Sequence, residues 1–218
     1  YQFTNTTLEI KAVSNTAPTA SDNTVSTDAN VNYTFSASDF GFDDVDGGDA
    51  LVKIKINPLD AVGWLRLNAI DVTLNQEIVL ADIPNLTFTP VTDASGAGYD
   101  SFGFTVSDGT DYSVSTYTMT INVDAVVPTV TTQAVSAISA TTATGNGNVT
   151  SLGVPNPTQH GVVWHTSSGP TTANSKTTQG AKGSTGAYTS GITGLTAGTT
   201  YYVKAYATNT EGTVYGGE

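Results

Sequence analysis

Two all-β modules in tandem, each of sandwich or barrel type, are what this sequence predicts. Three observations carry the prediction. Apolar residues recur with a period of two, separated by Gly, Asp, Asn, Ser and Pro turns. No segment sustains a 3.6-residue apolar period with caps, so helix should be minor. And the composition changes sharply once along the 218 residues, a length that suits two ordinary domains.

The chain opens with residues 1–14, where "TLEIKAV" alternates like a strand. It precedes "SNTAP" much as "TMTINVD" precedes "AVVPT" further on, and reads as the terminal strand of a preceding module or as a linker. The alternative is pairing at a sheet edge, in this molecule or a neighbour. Next, "YTFSA" sets Tyr33, Phe35 and Ala37 on one face. "VKIKI" turns Val52, Ile54 and Ile56 inward and Lys53 and Lys55 outward. "SFGFTV" aligns Phe102, Phe104 and Val106, and "YTMTINV" aligns Tyr117, Met119, Ile121 and Val123. Near "VDAVVPTV" aspartate stops and Gly and Thr rise. A boundary at about residue 125 follows, with modules over 15–125 and 126–218 and Pro128 opening the second.

The net charge is −12, and it is unevenly spread. Residues 1–125 hold all fifteen aspartates and two glutamates against Lys11, Lys53, Lys55 and Arg66. Residues 126–218 hold two glutamates and three lysines. An acidic surface repels phosphate backbones, which argues against a nucleic-acid partner and favours a cation. There is no cysteine, so apolar cores must hold the modules together. No apolar run approaches 20 residues, so no membrane-spanning helix is expected. The chain reads as a mature or excised piece of a larger protein.

Its most crowded acids lie in "DFGFDDVDGGDAL": Asp39, Asp43, Asp44, Asp46 and Asp49. Asp and Gly are ordinary turn residues. Asp44 and Asp46, however, form a D-x-D pair that offers several oxygens to one hard cation. Asp108 ends a predicted strand in "TVSDG", and Asn15 stands just ahead of the module. An EF-hand does not fit: counting from Asp44, position twelve is Lys55, where a bidentate Glu is needed.

Residues 16–124 resemble the cadherin-like repeats of bacterial surface adhesins. The carrying stretches are "NTAP", "YTFSASDFGFDDVDGGDAL", "LRLNAIDVTLNQEI", "DIPNLTFTP" and "FGFTVSDGTDYS". The resemblance implies a Greek-key sandwich, repeated in tandem, with calcium bound at its ends. Carried over position by position, it assigns the metal ligands Asn15, Asp44, Asp46 and Asp108, with Asp43 and Asp49 in reserve. The linker lacks the acidic pair of the animal pattern. Residues 126–218 resemble fibronectin type III modules, on "GLTAGTTYYVKAYATN". There Tyr201 stands where the tyrosine corner would be, and Trp164 looks like a core residue of the third strand. Together the resemblances imply two tandem Greek-key immunoglobulin-like β-sandwiches.

Catalytic sets are absent. His160 and His165 lie five apart on a predicted strand and point to opposite faces, so they cannot chelate one ion simply. Tyr188, Tyr206 and Tyr215 are candidates for one sheet face that stacks on glycans or a protein. The leading expectation is therefore a non-catalytic stalk or adhesion fragment of an extracellular, cell-surface protein, with calcium on its first module. Its partners would be other modules of the same chain, protein or glycan ligands, or neighbouring subunits. Two other readings stay open: a fibre or virion subunit assembled by strand exchange, and a carbohydrate-binding or spacer module of a secreted enzyme.

Overall fold

The computed structural model describes residues 14–59 and 62–218. The terminal strand or linker expected over residues 1–14 lies outside them but for residue 14. The molecule is all-β, built as two tandem Greek-key immunoglobulin-like sandwiches. The first nine strands are β1 (Asn23–Asp28), β2 (Tyr33–Thr34), β3 (Lys53–Leu59), β4 (Trp64–Leu67), β5 (Ile70–Asp71), β6 (Glu77–Val79), β7 (Leu86–Thr89), β8 (Gly96–Ser107) and β9 (Tyr117–Asp124). They form a five-stranded sheet in the order β1-β9-β8-β3-β6 and a four-stranded sheet in the order β2-β7-β4-β5. The remaining strands are β10 (Thr129–Ser136), β11 (Thr142–Ser151), β12 (Gln159–His165), β13 (Ser175–Lys176), β14 (Gly186–Thr193), β15 (Tyr202–Asn209) and β16 (Gly212–Tyr215). Their sheets run β10-β11-β14 and β13-β12-β15-β16.

By spatial proximity the chain falls into two compact units. One gathers residues 14–25 with Thr34–Phe88 and Asp100–Thr120. The other gathers Ser26–Tyr33, Thr89–Tyr99 and Ile121–Glu218.

In the first unit the two-residue period does what the sequence promised at its centre. Ile54 and Ile56 are fully buried, facing Val106 and Phe104 of the antiparallel partner β8. Phe35 meets Phe102 edge-on at 5.6 Å and Phe40 meets Phe104 at 5.1 Å, the T-shaped geometry that aligns ring edges with ring faces. At its margins the pattern fails. Val52 is 42% exposed: it precedes β3 and lies over Gly109 rather than between the sheets. The strand expected through Ala37 stops at Thr34. There the chain turns into a short 3₁₀ helix, Ala37–Phe40, with Gly41 left-handed behind it. Asp39, at the third position of that helix, accepts the Ser36 N–H (2.8 Å) and its hydroxyl (3.1 Å). The turn between β4 and β5 uses Asn68 and Ala69, both at positive φ (51° and 64°). That is the two-residue geometry matching strand twist.

The second unit packs around small residues. On the inward face of β11, Gly145 and Gly147 leave room for partners across the sandwich. A Cβ at Gly147 would lie 2.5 Å from the Tyr188 ring and 2.9 Å from Ala205. Tyr188 is pinned there. Its hydroxyl donates to the Gly161 carbonyl at 2.7 Å, and burial pushes its pKa up to about 12. Trp164 is a core residue of β12, the third strand here, as expected. Tyr201 closes its corner: the Thr196 N–H donates to its hydroxyl at 3.2 Å.

Because Tyr188 is tied by its hydroxyl, it cannot swing away from an added methyl. Gly147→Ala is expected to lower stability by about 1–3 kcal/mol in urea unfolding. Gly191→Ala, which meets nothing within 4 Å, should change it by less than about 0.5 kcal/mol.

Candidate functional site

The antiparallel register of β3 on β8 pairs Lys53 with Ser107. The loop that enters β3 therefore lies beside the turn that leaves β8, and both are aspartate-rich. A third stretch joins them. Thr19 and Asp43 exchange backbone hydrogen bonds (Thr19 N to Asp43 O 2.8 Å, Asp43 N to Thr19 O 2.9 Å), which lays residues 15–19 along the loop.

The side chains then interlock. Asn15 donates its amide to Asp108 Oδ2 (3.0 Å) and Asp111 Oδ2 (2.9 Å). The Thr16 N–H donates to Asp46 Oδ2 at 2.6 Å, and the Asp46 N–H to Asp44 Oδ1 at 2.8 Å. Asp108 Oδ1 accepts from Thr110 N (2.6 Å) and Asp111 N (2.8 Å), an Asx turn. Carboxylate oxygens of Asp44, Asp46 and Asp49 lie within 4.8 Å of one another. Among the described residues the ion pairs are Lys53 and Lys55 with Glu77, and Arg66 with Asp71. None of them neutralises this cluster.

The electrostatics follow. Partial desolvation, and then the charges of Asp44, Asp108 and Asp46, push the Asp49 carboxyl above the usual carboxylate range. Asp108 lies below that range: the Asp111 N–H holds it there, helped by Asn15 and Thr110 and opposed by desolvation. Asp44 Oδ2 is buried with no hydrogen-bond partner. A buried carboxylate oxygen without a donor is costly unless something positive meets it. The donor set is all oxygen, the kind that suits a hard divalent cation.

Of the sequence-derived ligands, Asn15 and Asp108 are in direct contact, and Asp44 and Asp46 are neighbours in the loop. Asp49 joins Asp44 and Asp46. Asp43 does not belong to that trio, and what it contributes is its backbone bridge to Thr19. Asp111 was missed by sequence reasoning. The signal was there in "SDGTD": an Asx turn at Asp108 folds the acid three residues on back toward the same side.

Elsewhere the side chains do structural work. His160 is buried, its Nδ1 2.8 Å from the Gly180 carbonyl and its ring edge-on to Tyr188, while His165 is exposed. The tyrosine face expected from Tyr188, Tyr206 and Tyr215 does not form. Tyr206 is 1% exposed and spends its hydroxyl on the Thr177 carbonyl (2.7 Å). Tyr215, on β16, is its cross-strand partner, and Tyr188 belongs to the opposite sheet.

Residues 15–124 match the family described as bacterial Ig domain. No curated protein matches the chain. Among solved structures, similarity extends to the FN1–FN3 domains of chicken CNTN1, at 11% identity and a TM-score of 0.32. That match covers 93% of this chain and 62% of that one, so this chain spans less than two thirds of its length. The titin domains z1z2, solved in complex with telethonin, are 14% identical with a TM-score of 0.38, covering 94% of this chain and 95% of that one.

The two shifted carboxylates make a pH prediction. Asp49, raised in the folded state, costs stability once ionised. Stability should therefore fall as pH rises through its titration. Asp108, lowered, contributes stability above the unfolded pKa that is lost as pH falls through its folded value. Carboxyl-detected NMR titration of the metal-free chain should show, as pH falls, Asp49 protonating before Asp108. The reverse order would contradict the geometry.

Proposed function

The chain belongs, through residues 15–124, to the bacterial Ig domain family, and from that premise we propose that it is a non-catalytic stalk fragment of a bacterial extracellular surface protein. In this reading the first sandwich is a cadherin-like repeat and the second a fibronectin type III-like module. The cadherin-like module carries a calcium site at the end where residues 15–16 enter. One observation supports it above others: lead-in segment, loop and turn converge, with Asn15 bonded to Asp108, the Thr16 N–H bonded to Asp46, and Asp44 Oδ2 left buried without a partner. Asp44, Asp46 and Asp49 would hold the ion, with Asp108 and Asp111 completing the oxygen set in place of their present bonds to Asn15. Calcium supplies positive charge, not chemistry, at such a site. It offsets the repulsion between loop and turn and fixes the lead-in segment against the sandwich. Tandem sandwiches are suited to spacing and presenting, and Ig-type families are generally non-catalytic.

Millimolar calcium is expected to raise the melting temperature of the first sandwich and leave the second unchanged. Free ion at a hundred times its dissociation constant adds about 2.7 kcal/mol. Asp44→Asn combined with Asp46→Asn should abolish the shift while the metal-free protein still melts cooperatively. No shift in the parent chain at millimolar calcium would sink the metal assignment.

A further inference from the structure

A concavity lies within the second unit and has no part in the acidic cluster. It is a cavity of about 320 Å³ at one end of the sandwich, between the turn joining β10 to β11 and the turn before β15. Val135, Ala143, Trp164, Ile192, Leu195 and Val203 form its walls, and no charged side chain lines it. Its origin is legible in β11. Three inward positions of that strand are small: Ala143, Gly145 and Gly147. A Cβ at Gly145 would meet Val162 at 2.8 Å and Ile192 at 3.1 Å, and one at Gly147 would meet Tyr188, so the partners have closed in on both glycines. Beside Ala143 they have not, and the space remains.

The walls are held in place. Tyr201 is tied to the Thr196 N–H, and Ser139 bonds the Thr142 carbonyl and hydroxyl across the β10–β11 turn. A pit framed by anchored turns does not collapse as a loose core would. Trp164 is only 9% exposed and presents aromatic surface to the interior. At the mouth stand the exposed Thr196 and Thr199, beside Ile138, which is 73% exposed.

Size and lining decide what fits. An apolar cavity of roughly 150 Å³ takes benzene, and this one is about twice that, at the lower end of the range for small-molecule pockets. A charged guest would lose its hydration with no partner in the walls. Aromatic wall groups favour edge or offset contacts with another ring, and the threonines at the mouth offer one hydrogen bond. We propose that this cavity binds a small neutral aromatic molecule: a single ring, seated against Trp164, bearing one hydroxyl or amide that reaches the mouth.

Benzyl alcohol is a probe of that chemistry, and benzoate is the same ring with a charge. In NMR titrations of the whole chain, benzyl alcohol should shift the Trp164 indole N–H and the Val203 amide along one saturable curve. The exposed Trp64 indole should stay still. Benzoate should bind at least about tenfold more weakly. Ala143→Phe, which fills the space, should remove the benzyl alcohol shifts. If that variant fails to fold, the comparison of the two probes on the parent chain decides. Linear, non-saturating shifts, equal responses to both probes, or undiminished binding by folded Ala143→Phe would each overturn the proposal.

Discussion

The pairing of β3 with β8 is the constraint on which the rest of the first sandwich depends. It is first a hydrophobic one. Ile54 opposite Val106 and Ile56 opposite Phe104 are all fully buried, and a slip of one residue would turn every one of them to the other face. The core therefore fixes the register. The register in turn sets the Lys53 end of β3 beside the Ser107 end of β8. From that point the loop carrying Asp44, Asp46 and Asp49 and the turn carrying Asp108 and Asp111 leave the sheet side by side. Like charges are held together by apolar packing several residues away.

What the chain does with that repulsion is partly visible. It spends hydrogen-bond donors on the carboxylates: the Asn15 amide on Asp108 and Asp111, the Thr16 N–H on Asp46, and backbone N–H groups within the loop and turn. These donors leave Asp44 Oδ2 unmet and Asp49 pushed upward. Among the described residues, the basic side chains of the same unit are engaged elsewhere, Arg66 with Asp71. Lys53 and Lys55 bracket Glu77 and lie over the Tyr112 ring, at 5.1 and 3.8 Å from its centre. An all-oxygen cluster of this kind is what the proposed cation would meet.

Much of the fold was legible in the sequence, and the failures have physical causes. Alternation located the strand centres, where burial on one face selects the residue type. It misjudged Val52 and Ala37, because alternation continues past the point at which the opposing sheet ends. The D-x-D pair, Asp108 and Asn15 emerged from spacing and family resemblance. Asp111 did not, because its position depends on how the Asx turn at Asp108 folds back. The tyrosines were misread for a related reason. Sequence spacing gives the face of a strand, but not which sheet the strand joins, and Tyr188 and Tyr206 belong to opposite sheets. Nor does spacing reveal that Gly145 and Gly147 are compensated across the sandwich while Ala143 is not.

The central claim is that core register assembles a cation site at one end of the first sandwich. Crystals grown with calcium and diffracting to high resolution test it most directly. The account predicts one ion, with anomalous signal, about 2.3–2.6 Å from carboxylate oxygens of Asp44, Asp46 and Asp49, with Asp108 and Asp111 completing its shell. Those residues bonded only to water and to Asn15 at saturating calcium, with no ion among them, would contradict it.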